Sequence, residues 1–367
     1  MKIKFNGRKS PAFYAEVRKE VDAYFKDNNI GKHANGEMIM KSVFFLGSLV
    51  LVYFMILFGG FNMWVNLLLA ILIGMIQAFI GFNVSHDAIH GAYSSKRSVN
   101  QVLSMSFNLI GANAYVWKIT HNQVHHTYTN IPGHDEDLDV APGLVRLSPM
   151  EKMKPMMRYQ HLYAFFLYGL ASLSWVFRKD YMKFFKKEIG CTDNTNHPRK
   201  EYFNLFFYKI LYYTLFIVVP LLVMDITWWQ FIIGFFMMHW AEGLVLGLVF
   251  QLAHVVEGTD FPEPGEEGQV DESWAIHQMM TTADFSRDSW TAKFFCGGLN
   301  FQVEHHLFPN ICHVHYPEIS KIVERVAKKH NVPFHENKTF KGALNSHYKM
   351  LKKFGREEFH APVPAAV

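Results

Sequence analysis

The sequence of 367 residues has only three cysteines, Cys191, Cys296 and Cys312. Their spacing matches neither a disulfide framework nor a CxxC metal site, so we expect three free thiols. A formal net charge of +4 is too small to indicate a nucleic-acid-binding protein, and no repeat or low-complexity segment is evident. The polar segment over residues 1–41 has no early apolar core, so a cleaved signal peptide is not expected.

Lysine and arginine are absent from two long stretches, residues 42–95 and 210–286. Each stretch covers all or most of two apolar runs separated by a short turn, and 50% of all residues are hydrophobic. Because a hydrocarbon core of ~30 Å requires ~20 helical residues, this pattern predicts two transmembrane hairpins. The four predicted spans cover residues 43–57, 64–84, 203–224 and 228–250.

The basic residues lie instead in the N-terminal segment, in residues 96–209 and from residue 287 onward. The positive-inside rule puts these three regions in the cytoplasm, with both hairpin tips on the opposite side. We therefore predict an all-α integral membrane protein with four transmembrane helices, interfacial helices and a histidine-rich cytoplasmic cap. Both termini should be cytoplasmic, and a bacterial cytoplasmic membrane is favoured over the endoplasmic reticulum.

Two shorter apolar stretches, residues 102–116 and 159–177, contain polar residues between basic flanks and are interpreted as interfacial helices. Alternatively, residues 159–177 form a fifth span, which would move the third histidine cluster described below to the opposite side of the membrane. The chain is expected to divide into a cytoplasmic segment, a membrane domain with its cap, and a basic amphipathic tail with a frayed end. These regions are residues 1–40, 41–320 and 321–367, and the frayed end is 361–367.

Two histidine clusters follow the first predicted hairpin. His86 and His90 come directly after the second predicted span, and their i, i+4 spacing places both imidazoles on one helix face. In the next cluster, His121 and His125 share a face and His126 projects about a quarter-turn round. Three imidazoles this close are unusual for packing alone, which favours metal binding.

A third cluster lies beyond the second hairpin, where Gln302 precedes His305 and His306. Gln302 and His305 are on the same side of a helix because of their i, i+3 spacing. His254, at the end of the last predicted span, is a further candidate ligand. The candidates supply eight histidines and one amide. A single zinc ion uses only three or four protein ligands, so two metal ions fit the number.

The setting of these clusters narrows the choice of metal. Imidazole binds iron, copper and zinc alike. A site at the ends of apolar spans is placed to act on a lipid chain, and an unactivated C–H bond requires a redox metal with O2, which zinc cannot provide. Carboxylates are expected to offset the charge of the metal ions and to orient the rings. The candidates are Asp87, Glu304 and the run Asp135–Asp139, in particular Asp135 and Asp137.

The segments His86–His90, His121–His126 and Gln302–His306 resemble, in order and spacing, the three histidine boxes of the membrane fatty acid desaturase family. Glutamine at the start of the third box is similar to the front-end subgroup, which includes acyl-lipid and sphingolipid desaturases. The resemblance implies two iron ions held by the box histidines and His254, with Gln302 binding directly, through water or as a support. It also implies O2 as co-substrate and a fatty acyl lipid or acyl-CoA as substrate.

Many front-end desaturases carry a fused cytochrome b5 domain with a His-Pro-Gly-Gly haem motif, which this sequence lacks. The resemblance therefore implies a separate electron donor, of the ferredoxin or cytochrome b5 type. We hypothesise that five basic residues dock this acidic donor, and the alternative is that they face anionic lipid headgroups. The five are Arg178, Lys179, Lys183, Lys186 and Lys187.

Other ionisable residues have simpler interpretations. His239 and Glu242, inside the fourth predicted span, either pair with each other or line a substrate tunnel. His134 is interpreted as a loop residue, and His313 and His315 are expected to lie past the site. Three residues have no deduced role, although the first and last resemble family positions: Trp274, His277 and Gln278. Most isolated histidines are expected to be solvated or interfacial, namely His33, His161, His197, His330, His335, His347 and His360.

Other functions remain open on the sequence alone. A lipid hydroxylase or a sphingolipid desaturase would share the metal ligands and differ in how the substrate is positioned. An intramembrane zinc protease is considered because His86–His90 imitates HExxH, although Asp87 replaces the glutamate. A metal carrier would need polar ligands along the spans rather than at their ends.

Overall fold

The computed structural model describes residues 3–7, 11–138, 140–265 and 267–356. Within them the chain is mostly helical, and its strands form three two-residue pairs. This confirms the predicted all-α class. Asp139, His360 and the predicted frayed end over 361–367 lie outside the described residues.

Four helices among the described residues are long and apolar enough to cross a membrane, as predicted. They are the first span Gly36–Phe58, the second span Met63–His90, the third span Arg199–Val223 and the fourth span Trp228–His254. All four are longer than the apolar runs indicated, because polar residues continue each helix beyond its hydrophobic part. The second and fourth spans consequently end on candidate metal ligands.

Capping side chains explain where three of the spans begin. Asn35 and Asn62 each accept hydrogen bonds from backbone N–H groups in the first turn of the helix that follows. At the start of the fourth span, the Gln230 side chain accepts a hydrogen bond of 2.9 Å from the backbone N–H of Thr227. These contacts satisfy donors that have no partner within a helix, so the spans start at defined residues.

The second and fourth spans are in close contact at Gly74, where an added Cβ atom would overlap the backbone carbonyl of Met238. We expect Gly74→Ala to destabilise the protein by ~1–3 kcal/mol, because the spans must separate to admit the methyl group. Gly81→Ala is the matched control, since the nearest atom to an added Cβ there is 3.7 Å away. Thermal unfolding in detergent should show a lower Tm for Gly74→Ala alone, and equal Tm values would contradict this account.

The remaining helices surround the spans and build the cap. They are Pro11–Asp27, Arg97–Leu109, 114–128, Gln160–Tyr168, 171–185, Trp274–Thr281, Trp290–Phe295, Gln302–Leu307, Tyr316–Lys329 and Phe340–Phe354. Short 3-10 helices cover Glu136–Leu138, Pro155–Tyr159 and His313–His315.

The strand pairs join distant parts of the chain. Parallel pairing connects Lys4–Phe5 with Gln269–Val270 and Asp284–Phe285 with Glu336–Asn337. Both chain ends are thereby attached to the segment between the fourth span and the third box. The third pair is a local antiparallel turn, made by Glu188–Ile189 and Thr192–Asp193.

The alternative of a fifth span through residues 159–177 is wrong. The helix breaks after Tyr168 and resumes at residue 171, and neither half is among the four helices that could cross a membrane. The second half has exposed apolar side chains, a pattern typical of a helix lying on a membrane surface. These side chains are Phe177, Met182 and Phe185.

Both terminal segments pack onto the cap. Phe13 and Val17 of the N-terminal helix share one apolar core with Val303 of the third box and with Val326 of the tail. The N-terminal segment, the third box and the tail therefore bury one another. The division of the chain into three regions remains a prediction.

Two of the isolated histidines are buried rather than solvated. The ring of His347 donates from Nδ1 to the Val255 carbonyl at 2.7 Å and accepts at Nε2 from the Tyr168 hydroxyl at 2.9 Å. Burial lowers the pKa of His347 to about 4, so the ring is neutral at pH 7. His161 is buried as well. The half-buried ones are His33, His197, His330 and His335.

Candidate metal centre

Four segments meet at one place: the ends of the second and fourth spans, the helix over 114–128 and Gln302–Leu307. They bring together Gln302 and the eight histidines predicted as metal ligands, and these side chains form two clusters. Their side chains are buried, apart from the half-buried His90. Sequence-distant elements therefore converge on a single, largely dehydrated site.

The first cluster consists of His86, His90, His121, His126 and His305. Ring nitrogens of four of them, all except His126, lie within 4.8 Å of one another. His126 joins them because its Nε2 is 3.2 Å from Nε2 of His121 and 2.9 Å from Nε2 of His305. Several nitrogens thus converge on one point, as ligands of a metal ion do.

The second cluster consists of His125, His254, His306 and Gln302. Its three histidines place ring nitrogens within 4.8 Å of one another. Nε2 of Gln302 lies 2.8 Å from Nε2 of His254 and 3.2 Å from Nε2 of His306. The two clusters adjoin, since the rings of His126 and His306 stack with centroids 4.4 Å apart.

A π-helical segment, Lys118–His125, explains how one short sequence serves both clusters. In a π-helix the backbone repeats at i, i+5, which brings His126 close to His121. The rings of His121 and His125 also stack, with centroids 5.1 Å apart, as their spacing predicted. His125 nevertheless groups with the second cluster, whereas His121 and His126 meet in the first.

The chemistry of these side chains fits a metal ion. Ring nitrogens on five histidines are buried without a hydrogen-bond partner, and these atoms include Nε2 of His86, His90 and His125. Native proteins usually avoid an unpartnered buried nitrogen unless an ion or water binds there. Burial, followed by repulsion from neighbouring histidines, lowers the pKa values of His121, His126, His305 and His306. These rings are therefore neutral, the form that binds metals. The unpartnered atoms belong to His86, His90, His121, His125 and His126.

A carboxylate backs His125, as the acidic run predicted. Nδ1 of His125 lies 3.0 and 3.1 Å from the two oxygens of Asp135. Burial lowers the pKa of His125, but Asp135 outweighs it by charge and hydrogen bond and raises the value to about 8. With Nδ1–H donated to Asp135, Nε2 is left to face a metal. Asp137 lies 3.5 Å from Nδ1 of His121.

Asp87 also has a partner, which corrects one prediction. Its Oδ2 accepts hydrogen bonds from the backbone N–H of His313 at 3.1 Å and from Nδ1 of the His313 ring at 3.0 Å. Nε2 of His313 contacts the buried Nζ of Lys41 at 3.0 Å. His313 therefore does not lie past the site, because a 3-10 turn folds it back against the first box. His315 contacts the carbonyl of His33 instead.

Glu304 differs from its predicted role as an orienting group for a ligand ring. Its carboxyl group interacts with Asp284 and Ser320, and the positive charge of Arg287 also acts on it. Burial raises the pKa of both acids, and the charge of Glu304 raises the pKa of Asp284 further. The pair therefore holds a proton more readily than exposed carboxyl groups do.

Similarity to known proteins identifies the family of this chain. A family model described as fatty acid desaturase matches residues 62–338. The chain belongs to the fatty acid desaturase family. It is 37% identical over 349 residues to an acyl-lipid (8-3)-desaturase of Physcomitrium patens, covering 95% of this chain and 72% of the relative. It is 35% identical over 345 residues to an sn-1 linoleoyl-lipid 6-desaturase of Arthrospira platensis, covering 94% and 93%.

A third relative, a probable Delta(5) fatty acid desaturase C of Dictyostelium discoideum, is 31% identical over 354 residues, covering 94% of this chain and 76% of the relative. The relatives are front-end-type and acyl-lipid desaturases. The chain is accordingly a membrane fatty acyl lipid desaturase, an oxidoreductase with a buried histidine metal site. The desaturase prediction is confirmed, and the zinc protease and metal carrier alternatives are set aside.

Two residues for which the sequence suggested no role also contact the histidine clusters of the desaturase. Trp274 and Gln278 lie one turn apart on the helix Trp274–Thr281. The indole N–H of Trp274 donates to the backbone carbonyl of His126 at 3.0 Å. The amide oxygen of Gln278 lies 2.7 Å from Nδ1 of His306. Their i, i+4 spacing beside a buried histidine was the signal that could have indicated a shared face.

His239 and Glu242 of the desaturase form a buried polar junction between helices. Nδ1 of His239 lies 3.3 Å from a Glu242 oxygen and 2.6 Å from the hydroxyl of Ser172, which also contacts Glu242. The Tyr212 hydroxyl lies 3.0 Å from Nε2 of the same ring. The pair therefore connects the fourth span to the third span and to the helix over 171–185, which supports the interpretation as a structural pair.

The remaining histidines near the site have local explanations. His134 contacts the carbonyl of Pro132 in a loop, as expected. His277 is buried beside the ring of Phe5, and burial lowers its pKa to about 4. A cavity of about 850 Å³ lies between the other ends of the spans and includes Ile73 in its lining. Ile73 is ~20 Å along the second span from the first box, so this cavity is separate from the metal centre.

Proposed function

We propose that the protein is a di-iron desaturase that uses O2 and two electrons from a separate carrier to insert a double bond into a lipid acyl chain. The single observation that carries the proposal is the pair of adjoining nitrogen clusters, with His126 stacked against the second. Eight histidines exceed the ligands of one metal ion. Desaturation removes two electrons from the substrate, and zinc has no redox chemistry, which favours iron.

In this proposal the first cluster holds one iron and the second cluster holds the other. When bound, the iron pair with O2 supplies the oxidant that removes one hydrogen from each of two neighbouring chain carbons. The protein contributes the neutral rings of His121, His126, His305 and His306, excludes water through burial, and holds Nδ1 of His125 against Asp135, which leaves Nε2 of that ring for the metal. Gln302 completes the second cluster, either as a direct ligand, through water or by supporting His254 and His306.

We further propose front-end regioselectivity, with the new double bond towards the carboxyl end of the chain. The names of the relatives support this, because they include 6-desaturases and Delta(5) desaturases. A sphingolipid desaturase or a lipid hydroxylase would use the same metal ligands. Analysis of the product discriminates between them, since a hydroxylase yields an alcohol.

The proposed topology is multi-pass, with the histidine clusters and both termini on the cytoplasmic side of a bacterial membrane. Its support is the distribution of lysine and arginine, which are absent from residues 42–95 and 210–286. The three-region division, residues 1–40, 41–320 and 321–367, belongs to the same proposal. Cysteine accessibility at the hairpin tips tests it, because tip cysteines should react only with reagent on the outer side.

The test of function is expression in a host with defined lipids, with a ferredoxin or cytochrome b5 donor supplied, followed by fatty acid analysis. We expect a new double bond that requires O2, and two iron ions per purified chain. His125→Ala serves as the inactive reference. A wild type that forms no double bond despite a functioning donor, or that purifies with one zinc and no iron, would overturn the proposal.

Ion pairs reduce the number of basic residues that are available to dock the electron donor. Lys183 and Lys186 both contact Glu136, with Lys186 at 2.6 Å, so much of their charge is neutralised. Burial and the nearby Lys186 also lower the pKa of Lys183 to about 7. Arg178 is exposed next to Phe177 on the apolar face described above, which favours a lipid contact there. Lys187 is the better test of docking, because it is exposed.

We expect Lys187→Glu to slow turnover with an acidic donor by a few-fold at low salt, and less at high salt because screening removes the steering. Lys341→Glu, an equally exposed change on the tail, is the matched control. The measurement is the rate of donor oxidation as a function of ionic strength. Identical kinetics for both variants, with weaker binding of Lys187→Glu to anionic vesicles, would assign the residue to lipid headgroups.

A further inference from the structure

Gln278 makes an unusual contact with the second cluster. It is fully buried on the helix Trp274–Thr281. Its amide oxygen lies 2.7 Å from Nδ1 of His306 and 2.9 Å from the hydroxyl of Thr129. Thr129 is also fully buried, directly after the second box. Gln278 is thus held between two histidine boxes, although it belongs to neither.

This contact selects one tautomer of His306. A carbonyl oxygen accepts hydrogen bonds and cannot donate them, so Nδ1 of His306 must carry the proton. Nε2 then has a free lone pair, and this atom faces the second cluster, 3.2 Å from Nε2 of Gln302. The amide therefore presents the ring in the form and orientation that binds a metal.

The same arrangement recurs at the other histidines of the second cluster. Nδ1 of His125 faces the carboxylate of Asp135, and Nδ1 of His254 lies 3.3 Å from the backbone carbonyl of Thr281. Every ring of this cluster is thus backed by an oxygen acceptor, but only one of the three acceptors is charged. His125 is backed by an anion, whereas His306 is backed by a neutral amide.

The amide nitrogen of Gln278 indicates that this side chain does more than fill space. Nε2 of Gln278 is buried without a hydrogen-bond partner. A buried, half-satisfied amide is unfavourable for folding, and such groups in native proteins call for a functional reason. A leucine of similar size would avoid that cost. The acceptor oxygen facing His306 supplies the reason for a glutamine.

We propose that Gln278 is a positioning residue for the second metal position, where it fixes the tautomer and orientation of His306. The inference rests on the proposed di-iron function. Because Gln278 is a neutral acceptor, the second metal position combines a ring backed by an anion, that of His125, with a ring backed by an amide, that of His306. The amide limits the electron donation of His306, and a carboxylate in its place would increase it.

The test compares three variants of the full chain purified in detergent. Gln278→Leu removes the acceptor, and Gln278→Glu keeps an acceptor and adds negative charge. Met279→Leu is the matched control, because Met279 is the next residue, equally buried, and the change conserves volume. The readouts are Fe(II) affinity by chelator competition, iron stoichiometry, Tm and Mössbauer spectra of the loaded protein.

We expect Gln278→Leu to bind the second iron ~10–100-fold more weakly while the first iron is retained. Gln278→Glu should keep two iron ions but shift the Mössbauer signal of one of them. Met279→Leu should match the wild type. Wild-type iron affinity in Gln278→Leu, or an equal loss of both ions in all three variants, would overturn the inference. A wild type that binds no iron would overturn the proposed function itself, so the two failures are distinguishable.

Discussion

Replacement of His305 by alanine is expected to reduce double-bond formation more than ~100-fold, since loss of a mere supporting partner of a metal ligand already costs ~10–100-fold. His305 is the element of the third box that completes the first cluster. Its Nε2 lies 2.9 Å from Nε2 of His126, and its ring centroid lies 4.4 Å from that of His86. No other side chain of Gln302–Leu307 reaches the first cluster in the same way, because His306 faces the second.

The measurement is the amount of new unsaturated fatty acid per protein, with iron content measured on the same preparation. His315→Ala is the matched control, because His315 is also buried. Among the residues that the structure describes, its ring hydrogen-bonds to the backbone carbonyl of His33 alone. It should retain activity and iron. Wild-type product levels in His305→Ala would rule out this histidine as a ligand.

The largest effect on stability is expected from Asp180→Ala. Asp180 pairs with the Nζ of Lys209 at 2.8 Å, and both side chains are buried. Lys209 also donates to the carbonyls of Gly111 and Trp175 at 2.7 and 3.0 Å. Removal of the carboxylate leaves a buried ammonium without its counter-charge, which we expect to cost ~3–5 kcal/mol.

A double replacement separates charge from packing. Asp180→Leu combined with Lys209→Met removes both charges and should recover much of the lost stability, because a buried ion pair contributes little over apolar residues of similar volume. Unfolding in mixed detergents gives the free energies. Equal stabilities of the single and double variants would mean that the ion pair does not determine the effect.

Sequence patterns predicted the membrane part well because its signals are local. Absence of basic residues and continuous apolar runs located all four spans. The ends were less accurate, since the second span continues through a π-helical turn, Gly81–Ser85, into the first box. Apolar content does not report such a turn, and neither does it report a cap such as that of Asn35.

The site was predictable as far as the motifs extended. Seven histidines were chosen from their spacing and His254 from its place at the end of a span, and the structure brings all eight together. Spacing could not predict that His313 folds back onto Asp87 or that Glu304 turns towards Asp284, because these contacts depend on tertiary packing between separate segments. Gln278 was missed for the same reason, as its partner His306 lies on another helix.

The order of the ligands along the chain has a consequence for biosynthesis. Each cluster includes a residue of Gln302–Leu307, near the end of the described chain. A ribosome that has completed both hairpins has therefore produced only incomplete sets of ligands. Neither nitrogen cluster can close until the third box has been translated and has packed between the N-terminal helix and the tail. Metal binding by the complete set of ligands therefore has to follow translation of the third box.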